Sequence, residues 1–147
     1  MFPGIRRRLR YLPIRLRYLL FERSEPIEVL LSGFALGWAV MLLLREDTLA
    51  RSVNFSVMLS FMSEDMWGLS ALLIFFFSAI AGFFNDFRWR SCAMLTHAFF
   101  WALITFLVAK TNIVNQGVAV YGCTTVAALW AAIRNGYEQG RIGRRSE

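Results

Sequence analysis

The sequence predicts an all-α membrane protein: a bundle of four transmembrane helices, led by a basic amphipathic interfacial helix, with a short outer amphipathic helix. Three observations predict it. The 147 residues are 57% hydrophobic and 18% charged, against about 25% charged in soluble domains. The charges fall in the gaps between four long apolar runs. With those runs threaded through a bilayer, thirteen Lys and Arg fall on one side and three on the other. The chain divides into a basic amphipathic lead (1–26), a four-span domain (27–133) and a basic tail (134–147).

The lead places Ile5, Leu9, Leu12, Leu16 and Leu19 at steps of four and three, on one helical face. Arg6, Arg10 and Arg17 lie off that stripe, and Arg7, Arg8 and Arg15 complete a basic cluster. Pro13 is expected to kink the helix. Arg6, Arg7, Arg8, Arg10, Arg15 and Arg17 are candidate contacts to anionic lipid headgroups, at about 1 kcal/mol for each well-placed arginine. The same arginines, together with Arg23, suffice as an orientation signal alone.

The first span, 27–44, has 18 residues and one charge, Glu28, at its edge. At about 1.5 Å per residue it reaches roughly 27 Å, close to the hydrocarbon thickness of a bilayer. It is longer than a signal-peptide core, and Arg45-Glu46-Asp47 offers no small-residue cleavage site. Gly33 and Gly37, four apart, form a candidate helix-packing face, as do Ala35 and Ala39.

Residues 45–66 form the longest link. Asp47 or Thr48 is a candidate cap for a short amphipathic helix within 48–63. Ser52, Ser56, Ser60 and Ser63 line one side of it, opposite Leu49, Val53, Val57 and Phe61. A serine row of this kind faces solvent or, in an oligomer, a pore.

The second span is 67–84, with Trp67 expected at the interface and Ser78 and Gly82 as a close-approach pair. A tight turn with Arg88 and Arg90 leads to the third span, 92–109. The fourth, 117–133, carries Ala119, Cys123, Ala127 and Ala131 in one i, i+4 row. That row makes it the candidate for the most tightly packed helix. Gly136, Gly140 and Gly143 are expected to keep the tail loose.

Both termini are then cytoplasmic, with Arg45, Arg51 and Lys110 outside. Cys92 and Cys123 differ in depth by roughly 15 Å in this threading, whereas a disulfide needs Cα atoms within about 7 Å. Two free thiols are expected. No CxxC pair or His cluster indicates a metal, and no phosphate, dinucleotide or hydrolase fingerprint is present. No cofactor or small-molecule substrate is indicated, and the basic balance serves insertion rather than nucleic-acid binding. His97 lies near the inner boundary of the third span, and Glu28 lies at the inner edge of the first. A Glu28–His97 or Glu28–Arg88 pair would place a proton-sensitive polar switch there. A headgroup-level histidine satisfied by water or backbone is the plainer reading.

The basic lead, Leu31-Ser32-Gly33 with Gly37-Trp38, Glu64-Asp65-Met66-Trp67-Gly68 and Arg88-Trp89-Arg90 resemble small multi-pass membrane proteins of tailed bacteriophages labelled holins. The resemblance implies a protein of the host cytoplasmic membrane that acts by oligomerising, and it assigns no site residues. The expectation is a non-enzymatic, self-associating, membrane-permeabilising protein. The alternative is an accessory or scaffold subunit that holds a partner or anionic lipid through its arginine-rich ends.

Overall fold

The computed structural model describes residues 25–45, 47–84 and 86–143. The lead lies almost wholly outside them, as do its six headgroup arginines and the chain end at 144–147. The described residues are all helical apart from their links. The helices are α1 (Glu25–Leu44), a 3-10 turn (Val53–Phe55), α2 (Ser56–Phe61), α3 (Glu64–Phe84), α4 (Phe87–Thr111) and α5 (Gln116–Gly143). Four of these, α1, α3, α4 and α5, are long and apolar enough to cross a membrane.

The long helices form two antiparallel hairpins, α1–α3 and α4–α5, joined side by side mainly through α3 and α4. We call the end where α1 and α4 begin the basal end, and the other the apical end. The α3–α4 turn is tight because Asp86 caps α4, its carboxylate accepting from the Arg88 backbone N–H at 2.8 Å. At the apical end Asn115 starts α5 the same way, accepting from the Gly117 N–H at 2.8 Å. Thr124 and Thr125 donate to the Val120 and Tyr121 carbonyls of their own helix, so neither polar group strains the span.

The core has two layers. The apical layer is aromatic: Trp38, Trp67, Phe100, Trp101 and Tyr121 pack with Ala35, Ala39, Ala71 and Ile104. Trp101 stacks on Tyr121 at 5.8 Å and 5°, and meets Trp38 edge-on at 5.6 Å. These rings bridge α1 to α4 across the bundle. The basal layer is built from small residues: Ala81, Ala93, Ala98, Ala128, Ala131 and Ala132, with Leu31 and Met94. Small side chains let α4 and α5 approach closely there.

The four expected long apolar helices are present, and the link between the first two differs from expectation. The 45–63 link is a lid rather than one helix capped at Asp47 or Thr48. Asp47 sits in the left-handed region at φ 60, and α2 begins only at Ser56. Leu49 and Met58 anchor the lid in the core, whereas Val53 and Phe61 are exposed. The Glu64 carboxylate fixes the lid by accepting from the Thr48 N–H at 2.8 Å and the Leu49 N–H at 3.1 Å. Trp67 is therefore a core residue, not an interfacial one, and its indole N–H donates to the Met58 carbonyl at 3.1 Å.

The most enclosed helix is α4, with 50% of its apolar window buried against 22% for α5. The Ala119–Cys123–Ala127–Ala131 row explains the reversal. Ala131 is buried, but Ala119 and Cys123 face outward, and α5 packs instead through Tyr121, Ala128, Ala131, Ala132 and Asn135. The expected loose tail continues α5 to Gly143. An Arg134–Glu138 pair one turn apart at 3.0 Å supports it, and each glycine costs a helix only about 1 kcal/mol.

Candidate functional site: a polar clasp beside a lateral groove

Polar groups inside a membrane bundle are costly, so the places where they gather deserve the closest reading. Here they gather in the basal half. Glu28 is the fourth residue of α1, Arg90 the fourth of α4, and Asn135 lies late in α5. The Arg90 guanidinium grips Glu28 with two N–H donors, Nε to Oε2 at 2.8 Å and Nη2 to Oε1 at 2.9 Å. The Asn135 amide donates to Oε1 at 2.9 Å. One carboxylate thus ties three helices together, with Arg90 4% exposed and Asn135 fully buried. Arg90 also lies over the Phe87 ring at 5.4 Å.

Charge neutralisation makes this burial tolerable. A lone guanidinium or carboxylate at this depth would cost several kcal/mol, and the forked geometry of Arg90 satisfies both Glu28 oxygens. Nearby, Ser91 donates to the Ala132 carbonyl at 2.9 Å and seals α4 to α5.

One level deeper, Ser78 of α3 lies 2.9 Å from Nε2 of His97 on α4. His97 is fully buried, and its Nδ1 has no hydrogen-bond partner. The candidate switch pair is therefore split: Glu28 bonds Arg90 and Asn135, while His97 bonds Ser78. Arg88, the other candidate partner of Glu28, is exposed.

Beside the clasp runs a groove of about 550 Å³ between α1 and α3. Glu28, Arg90, Ser32 and Ser78 border it together with Val29, Gly33, Phe75 and Gly82. A second groove, of about 570 Å³, runs along α5 past Ala119, Gly122, Cys123 and Ala127 to Ile27 of α1. The small-residue faces thus stand mostly unfilled within the chain. A Cβ at Gly33 or Gly37 would meet nothing within 4 Å. Cys92 and Cys123 are both free and exposed.

No protein-family model, curated protein or solved structure matches the chain. The clasp and grooves are read from their own chemistry. Among the described residues no cluster of three His, Cys, Asp or Glu is placed to hold a metal. What the arrangement does chemically is hold three helix ends in fixed register. The apolar runs 92–109 and 117–133 leave Arg90 and Asn135 outside the spans, whereas both lie within longer helices that face them toward Glu28.

Proposed function

We propose that this chain is a non-enzymatic integral membrane protein that associates with its own copies and permeabilises the membrane, in the manner of a phage holin. The observation that carries this reading is the placement of the small residues. Gly37, Ala119 and Cys123 are exposed, so these small-residue faces, suited to close helix contact, stay available to a second copy. The aromatic layer fills the bundle interior, so an aqueous path would form between copies rather than through one. In this reading the short α2 helix lies on the outer surface, its Ser56 and Ser60 exposed toward water. The arginines of the lead contact anionic lipid at the cytoplasmic face of a bacterial membrane in this reading.

A second reading rests on Arg88 and Arg141. Both are exposed at the basal end, and among the described residues neither is in an ion pair. They suit an accessory subunit that holds an acidic partner.

Induced expression in a bacterium carrying a potential-sensitive dye separates the two readings. Abrupt depolarisation, together with oxidative Cys123–Cys123 cross-linking, is expected for the self-associating reading. Unchanged potential with chains that stay monomeric refutes it and favours the accessory reading.

A further inference from the structure

The geometry points to a lipid-chain site: the groove between α1 and α3 holds one acyl chain of a membrane phospholipid, its polar end beside the Glu28–Arg90 clasp. This rests on the four helices spanning a bilayer and on nothing further in the proposed function.

The groove arises because α1 and α3 open toward the basal end. At the apical end they touch: a Cβ on Gly68 would lie 2.8 Å from Leu43 Cγ and 3.2 Å from Leu42 Cβ. At the basal end, a Cβ on Gly33 or Gly82 would meet nothing within 4 Å. The side chains that would close the gap are missing from the sequence itself. Val29, Gly33, Ala79 and Gly82 are exposed, so the groove opens onto the flank of the bundle, where the solvent is lipid.

Its polarity is graded. Glu28 and Arg90 are each the fourth residue of their helix, about 5 Å from its basal start at 1.5 Å per residue, so the polar end sits at the level of the lipid glycerol and headgroup. Deeper in, Phe75 and Gly33 are apolar, and the hydroxyls of Ser32 and Ser78 are already engaged within the protein, Ser32 donating to the Glu28 carbonyl at 2.8 Å and Ser78 lying 2.9 Å from His97 Nε2. An amphiphile in the basal leaflet has the same order from end to end.

Extent separates a lipid chain from a second copy. On α3 the lining runs from Phe75 to Gly82, about 10 Å at 1.5 Å per residue. Beyond that, the Gly68–Leu42 contact closes it. A transmembrane helix must run roughly 30 Å and would have no seat past Phe75, whereas an acyl segment can end partway. The clasp favours a chain as well, because Arg90 is already neutralised by Glu28 and demands no anionic group from its neighbour.

The test uses the full chain in vesicles of phosphatidylcholine, a fraction of it bearing a diazirine midway along one acyl chain. After irradiation, peptides are mapped by mass spectrometry. The expected adducts concentrate on residues 28–33 and 75–82. Filling the groove with Gly33→Leu and Gly82→Leu should cut them about tenfold, equivalent to about 1.4 kcal/mol of lost occupancy. Gly37→Leu, which adds the same side chain outside the groove, should leave them unchanged. Ala79→Leu serves as a second filling variant, and circular dichroism checks that each variant folds. Equal yields in the wild-type and filled chains overturn the site. So does groove labelling no stronger than that around Gly37. Labelling nowhere in the chain overturns the membrane placement, and the site with it.

Discussion

Glu28 shows how one carboxylate can organise a membrane bundle. It accepts from Arg90 on α4 and Asn135 on α5, so removing it leaves a guanidinium and an amide buried without their shared acceptor. Breaking one side of a buried ion pair costs about 3 kcal/mol or more, while removing both sides costs less than the sum. Glu28→Ala and Arg90→Ala should each lower the thermal midpoint in detergent sharply. The double variant should recover part of the loss; strictly additive losses would show that the pair is not coupled. Ser78→Ala should be milder, about 0.6 kcal/mol, the average for hydrogen bonds between membrane helices; a chemical denaturation series measures it. Part of this cluster is readable in the sequence. Arg90, Met94, His97, Trp101, Ile104 and Val108 follow one another at steps of three and four, and all are buried. Starting the third helix at 92, where the apolar run begins, hides Arg90 from that stripe. Ending the fourth at 133 hides Asn135 in the same way. Hydropathy marks where a helix is greasy, while capping by Asp86 and the Arg134–Glu138 pair decide where it begins and ends.

At the level of elements, the hairpins use two different means of close contact. The α4–α5 pair is brought together by alanines in the basal layer, and α1–α3 in the apical half by Gly68 beside the buried Ala35, Ala39 and Ala71. Among the described glycines, Gly68 is therefore the position where added volume is least tolerated. Gly68→Leu must displace Leu43 and the backbone-proximal Leu42 Cβ, at about 1–3 kcal/mol for overpacking. Gly33→Leu and Gly37→Leu add the same atoms into open space and gain helix propensity of up to about 1 kcal/mol. Thermal unfolding of the three variants in one detergent should rank Gly68→Leu well below wild type and the other two at or above it. If all three fell equally, Gly68 would not be the contact point. These three glycines read alike in the sequence. Spacing of four places Gly33 and Gly37 on one face, but which face meets a neighbour depends on the rotation of α1. Trp38, which stacks inward with Ala35 and Ala39, sets that rotation. The lid over the apical end was no more legible. Its anchors are Leu49 and Met58, and the Glu64 carboxylate that fixes it lies 15 and 16 residues from the amides it accepts.

For the whole molecule, the number of long helices fixes a relation between the ends of the chain. Four antiparallel spans bring the start of α1 and the C-terminal part of α5 to the same side, where a 2.9 Å hydrogen bond joins Glu28 to Asn135. Which side that is follows from charge. The lead, the turn at Arg88 and Arg90, and the tail hold thirteen Lys and Arg, against three in the apical links. Moving arginines across a bilayer is strongly disfavoured in short segments, so the basal end should stay cytoplasmic. Fusing a reporter that is active only in the cytoplasm to either terminus should give signal in both fusions, and a reporter active only outside should give none. A mixed result, with one terminus on each side, would mean that a span fails to cross, and it would separate Glu28 from Asn135 by the thickness of the membrane. The described geometry forbids that, because a 2.9 Å bond joins the two residues. The orientation test therefore bears on the clasp as directly as on the arginine count: only a chain whose ends share one side can close it.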